Sequence, residues 1–160
     1  MLDAARCYDE RYSGYYKLQN TRPQSIGFSL ADSPLGLAAW IYALFQDVSD
    51  SGSDPESVFS ADAMLDDIML CWLPNTGASS VRLYWEGMQE MMKGGMPSPP
   101  MPTGISMFPG EQLRLSRRWA ERHFVRLIHF SELERGGHFA ALEQPTAFAE
   151  EVRSTFRSLR

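Results

Sequence analysis

The chain has 160 residues, 44% hydrophobic and 22% charged, which suits one domain with a modest core and excludes wholesale disorder. A formal charge of −5 argues against a general nucleic-acid binder. Two cysteines (Cys7, Cys71) make no disulfide framework, His123, His129 and His138 lack metal-ligand spacing, and no apolar run approaches the ~20 residues that span a bilayer.

The opening "MLDAARCYDERY" is too polar for a secretion signal, so a cytoplasmic protein with no membrane span is expected. Leu2, Ala5, Tyr8, Tyr12, Tyr15 and Tyr16 fall near one helical face, with a weak point at Ser13-Gly14. In "ADSPLGLAAWIYALFQD", Ser33 is a candidate N-cap and Pro34 opens a helix. That helix is apolar almost all round and is expected to be buried on most sides. The stretch "DSGSDPES" (50–57) reads as a loop. No Lys or Arg occurs between Arg22 and Arg82, whereas Asp32, Asp47, Asp50, Asp54, Glu56, Asp62, Asp66 and Asp67 do. This acidic stretch reads as a solvated outer face.

Ser60 caps a further helix, in which Leu65, Ile68, Met69, Trp72 and Leu73 share a face. After Pro74 another helix gathers Val81, Tyr84, Trp85, Met88, Met91 and Met92, and ends at Lys93-Gly94. "GGMPSPPMP" (94–102) holds neither helix nor strand and reads as a connection. "TGISMF" is a short buried strand stopped by Pro109-Gly110, and Arg114 to Phe124 is helical. "VRLIHF" (125–130) is a second strand, and Pro145 starts a last helix with Phe148, Val152, Phe156 and Leu159 on one face. Strand, helix, strand, helix is the grammar of parallel α/β architecture.

One histidine stands out in that frame. Gly136 and Gly137 precede His138 where a strand gives way to a helix, and glycine permits a sharp turn or a close approach there. Glu111, in "FPGEQL", follows the preceding strand. Successive parallel strands present their carboxyl-end loops on the same side, where open α/β sheets place their sites. A carboxylate there can fix the imidazole's tautomer and stabilise the imidazolium formed when it abstracts a proton.

Four stretches, in order, carry a resemblance. "SGYYKLQNTRPQSIGFSLADSPLGLAAWI", "IMLCWLPNTGASSVRLYWE", "PTGISMFPGE" and "RGGHFAALEQP" resemble the microsomal-type epoxide hydrolases of the α/β-hydrolase fold, from about residue 10 to the C-terminus. The Met/Pro-rich link at 88–102 departs from that pattern. The resemblance implies an α/β fold class, the C-terminal part of an α/β-hydrolase. Residues 1–93 would be the helical cap and its junction with the core, 94–102 a connection, and 103–160 the last two parallel strands with their helices.

In that family an aspartate opens the epoxide to an ester, and a His–Glu pair activates the water that hydrolyses it to a vicinal diol. Two tyrosines hold the epoxide oxygen. The resemblance makes His138 the base, Glu111 its orienting acid, and Tyr15 and Tyr84 the tyrosine pair, acting without cofactor or metal on a small apolar epoxide, aromatic or lipid-like.

The family's nucleophile, an aspartate on a tight strand-to-helix turn, has no counterpart here. Asp32 follows no clear strand and Asp54 lies in a flexible loop. The loop supplying oxyanion donors is likewise unmatched. The expectation is therefore a fragment or degenerate relative that is inactive alone. It would leave a sheet edge open to a missing N-terminal half or to self-association. A non-catalytic association fragment, or another activity on the same fold such as an esterase, are the alternatives.

Overall fold

A computed structural model describes residues 6–94 and 98–159 of the chain. The expected first helix is divided. Tyr8–Tyr12 form one π-helical turn, closed by the Ser13 N–H donating to the Tyr8 carbonyl at 2.9 Å. The helix then restarts as α1 (Gly14–Thr21), which carries Tyr15 and Tyr16. Leu2 and Ala5 of the expected face lie outside the described residues. Helix α2 (Pro23–Asp32) follows α1 after Arg22, and Pro23 at its first position loses no hydrogen bond there.

Helix α3 (Pro34–Val48) begins as its sequence demands: the Ser33 hydroxyl accepts the Gly36 N–H at 3.0 Å. Among the described residues no single helix is long and apolar enough to cross a membrane; α2 and α3 pass that test only together, and are bent by 120° at Ser33. Helix α3 is less enclosed than its composition implies. Leu37, Phe45 and Val48 are buried, but Leu35 is 77% exposed and Tyr42 also meets solvent. The loop after it contains a short 3-10 turn, Pro55–Ser57.

Helices α4 (Ala61–Trp72) and α5 (Gly77–Gly94) complete the helical part. Ser60 caps α4 through the Ala63 N–H at 3.2 Å. Its buried face is not the expected one, however. Met64 and Ile68 point inward with Trp72 beside them, whereas Leu65, Met69 and Leu73 are exposed. Periodicity locates an apolar stripe, but the neighbour decides which part is covered, and α3 is the neighbour that packs on α4. One core cluster gathers Leu30, Leu37, Ile68 and Val81; a second gathers Phe45, Phe59 and Met64.

Of the connection at 94–102, Gly94 ends α5 and residues 98–102 are irregular; residues 95–97 lie outside the described set. Strand β1 (Thr103–Met107), helix α6 (Arg117–His123) and strand β2 (Leu127–Glu132) then form a parallel crossover unit. Helix α6 is shorter than expected because Ser116 caps it, accepting the Trp119 N–H at 3.3 Å. β2 starts two residues later than its apolar run. In the register Gly104 faces His129, Ile105 faces Phe130 and Ser106 faces Ser131.

Helices α7 (Ala140–Glu143) and α8 (Pro145–Phe156) follow, and a 3-10 turn (Arg157–Leu159) ends the described residues. α8 packs on both strands, and it does so through polar groups. Its Glu151 accepts the Ser106 hydroxyl at 2.6 Å, the Ser131 hydroxyl, and His129 Nε2 at 2.7 Å. The expected apolar face of Phe148, Val152, Phe156 and Leu159 looks outward instead. Among the described residues β1 and β2 form a two-stranded sheet, so β1 keeps one unpaired edge.

Candidate active site

Two loops at the carboxyl ends of β1 and β2 meet. After β2, Gly136 takes φ +104°, in the left-handed region where a side chain is strained, and a Cβ there would lie 2.8 Å from the Phe108 ring. At Gly137 a Cβ would meet the Asp50 nitrogen at 2.7 Å and the Val48 carbonyl at 2.9 Å. The first glycine thus makes the turn, and the second lets the loop lie against the end of α3. The Gly110 N–H donates to the Gly136 carbonyl at 2.9 Å and ties the two loops together.

His138 comes next, and its side chain is 57% exposed. Its Nδ1–H donates to Glu111 Oε2 at 2.9 Å, while Glu111 Oε1 accepts the Gln112 N–H, also at 2.9 Å. Burial pushes the Glu111 carboxyl up, but bonds from His138 and from the backbone N–H groups of Gln112 and Leu113 hold it below the usual carboxylate range overall. The bond to Glu111 raises the His138 imidazole above its ordinary value; partial burial opposes this, and the charges of Glu111 and Glu143 add to it. The pairing leaves Nε2 as the nitrogen for a further partner.

Phe139 fixes the other side of the histidine. Its ring lies 4.7 Å from that of Phe45 and 6.0 Å from that of Phe59, centroid to centroid. An open recess of about 300 Å³ adjoins His138, lined by Phe139, Ala140, Ala141, Leu142 and Phe148. Neither Tyr15 nor Tyr84 lines it.

The two tyrosines meet each other edge to face, with centroids 6.0 Å apart, although Tyr15 sits on α1 and Tyr84 on α5. Tyr15 also shares a 3.4 Å hydrogen bond with the Tyr8 hydroxyl. Burial raises the Tyr15 phenol well above its ordinary value, the bond to Tyr8 adds to this, and the charge of Glu111 contributes further. Burial likewise raises Tyr84, helped by Tyr15. Both phenols therefore keep their protons, and the Glu111 charge reaches Tyr15.

Several contributors escape a reading of the sequence. Tyr8 lay on the same helical face as Tyr15, which was a usable signal. Asp50 belongs to the acidic stretch expected to be a solvated face; instead its carboxylate accepts the Gly136 N–H at 2.8 Å. Glu143, 8% exposed, accepts the Asp50 N–H at 2.9 Å and the Phe139 N–H at 3.0 Å. Asp32 closes α2 and Asp54 precedes the 3-10 turn; both are exposed and neither follows a strand. Among the described residues no three His, Cys, Asp or Glu side chains are grouped to hold a metal.

No protein-family model matches the chain. Individual proteins do. A candidate epoxide hydrolase of Stigmatella aurantiaca is 51% identical over 159 residues, 99% of this chain and 36% of that protein. Epoxide hydrolase 1 of Sus scrofa is 38% identical over 89% of this chain and 34% of its own length. The juvenile hormone epoxide hydrolase of Bombyx mori matches in structure with a TM-score of 0.89 at 27% identity, over 99% of this chain and 40% of that one. The Aspergillus niger epoxide hydrolase follows at 0.83 and 25%, over 99% and 39%. The chain thus spans about a third of the length of the curated relatives it matches. In sequence and in fold it is similar to the C-terminal part of epoxide hydrolases of the α/β-hydrolase fold.

Proposed function

We propose that this chain carries the water-activating half of an epoxide hydrolase site, turning epoxides into vicinal diols once an aspartate nucleophile is supplied. One observation carries the reading: His138 Nδ1 bonds Glu111 Oε2 at 2.9 Å across the loops of two adjacent parallel strands. Glu111 orients the ring, and Nε2 takes a proton from water attacking the ester. Tyr15 and Tyr84 donate to the epoxide oxygen. A phenol that keeps its proton in the ground state gives more to the alkoxide that develops than to the neutral ether. The substrate class is a small apolar epoxide; the names of the relatives support an epoxide.

Without a nucleophile there is no ester to hydrolyse, so the 160-residue chain is inactive alone. The purified chain with styrene oxide should give no diol above buffer; steady turnover would overturn the account of the nucleophile. The positive test is a chimaera in which the chain replaces the matching part of the Stigmatella aurantiaca protein. Turnover is expected there, and His138→Ala should accumulate alkylated protein, seen by mass. A folded chimaera without turnover, or steady turnover in His138→Ala, rejects the reading.

A further inference from the structure

We infer that Asp50, together with Glu143, is a positioning residue for the imidazole of His138, making the C-terminal end of α3 the base plate of the site. The inference rests on the reading that His138 and Glu111 act as a pair. Three backbone N–H groups around the histidine are bound by this assembly. The Gly136 N–H reaches Asp50 Oδ2 at 2.8 Å, the His138 N–H reaches the Val48 carbonyl at 3.1 Å, and the Phe139 N–H reaches Glu143 Oε1 at 3.0 Å. Glu143 Oε2 in turn accepts the N–H of Asp50 itself at 2.9 Å. The acid loop is moored to the same helix end, where Gln112 Nε2 donates to the Asp47 carbonyl at 3.1 Å.

The chemistry favours carboxylates for this task. A carboxylate accepts on both oxygens and has no proton to set against an N–H, so each fastens the loop without a competing donor. The imidazole itself is largely exposed, with the Phe139 ring edge to face beside it at 5.5 Å, so its aim at Glu111 depends on a fixed backbone. Asp50 acts on the reaction only through that backbone and touches no reacting atom.

The test is the titration midpoint of the His138 ring, followed by NMR in the 160-residue chain. Fold is monitored by the dispersion of backbone amide signals. Glu111→Gln reports on the pair: it should bring the midpoint down toward the ordinary imidazole value of about 6.5. Asp50→Ala should lower it in the same direction, because a loosened loop lets the ring leave Glu111. Asp50→Asn should keep it, since the amide oxygen still accepts from Gly136. Asp54→Ala, which removes an exposed charge from the same loop, should also keep it.

A folded Asp50→Ala with an unchanged midpoint overturns the inference while leaving the pair intact. So does an Asp50→Asn that falls as far as Asp50→Ala, because charge rather than the bond would then be the cause. If Asp50→Ala does not fold, Asp50→Asn decides: an unchanged midpoint supports the inference and a drop overturns it. A midpoint indifferent to Glu111→Gln removes the pair itself, and the inference with it.

Discussion

At the scale of single residues, the His138–Glu111 pair fixes a pH window. Glu111 is held below its ordinary value, so its contribution to stability is present above about pH 4.5 and is lost as pH falls through the lowered value. His138 is raised, so its contribution is complete below about pH 6.5 and is lost as pH rises through the raised value. Both are present between those limits. Because the imidazole is largely exposed, the pair contributes well under about 1 kcal/mol. Glu111→Gln should therefore lower the Tm slightly at pH 5.5 and by less at pH 9, measured by calorimetry; an equal loss at both would contradict the pairing. The two partners were legible in the sequence because each follows a strand and two glycines flag the second. Asp50 was not, because its bond to Gly136 spans 86 residues and nothing local distinguishes it from other acidic loop residues.

Among the elements, helix α8 is attached to the sheet by a polar anchor. Glu151 is mostly covered, and it accepts from Ser106, Ser131 and His129. Burial raises its carboxyl, but those three donors outweigh this and hold it below the ordinary range. Glu151→Ala should cost about 1.5–3 kcal/mol, since it strands two hydroxyls and an imidazole, and the loss should appear as a lower midpoint in urea. A midpoint within error of the parent would show that the helix is held otherwise. Because the Glu151 value is depressed, the anchor holds above the ordinary carboxylate pH and weakens as acid protonates it. Elements with a strong apolar period, α3, α4, α5 and α8, were readable, and α3 and α4 have serine caps as well. α1 and α2 were not: "GYYKLQNT" is polar, short and buries Gln19, so no apolar period marks it. The covered faces of α4 and α8 differ from the expected stripes for another reason. Periodicity reports that a stripe exists, and only the packing partner determines how much of it is shielded.

For the whole molecule, the apolar surface left uncovered has consequences for association. Phe148, Val152 and Phe156 on α8 and Phe28 and Leu35 at the α2–α3 bend are exposed, and β1 has an unpaired edge. Light scattering after size-exclusion chromatography should give a mass above 18.1 kDa at high concentration. Met107→Lys, which puts a charge on the open strand, should return it toward the monomer. A monomer at every concentration would mean the edge is harmless. The helical and strand-bearing parts are bolted together by Phe139 packing on Phe45 and Phe59, and by the loop amides fastened at the end of α3. That fastening creates an unusual contrast at one residue. The imidazole of His138 is open to water, yet the amides of Gly136, His138 and Phe139 should trade hydrogen for deuterium slowly, like those of a helix interior. The side chain is free to meet a reactant while its peptide frame stays closed to solvent.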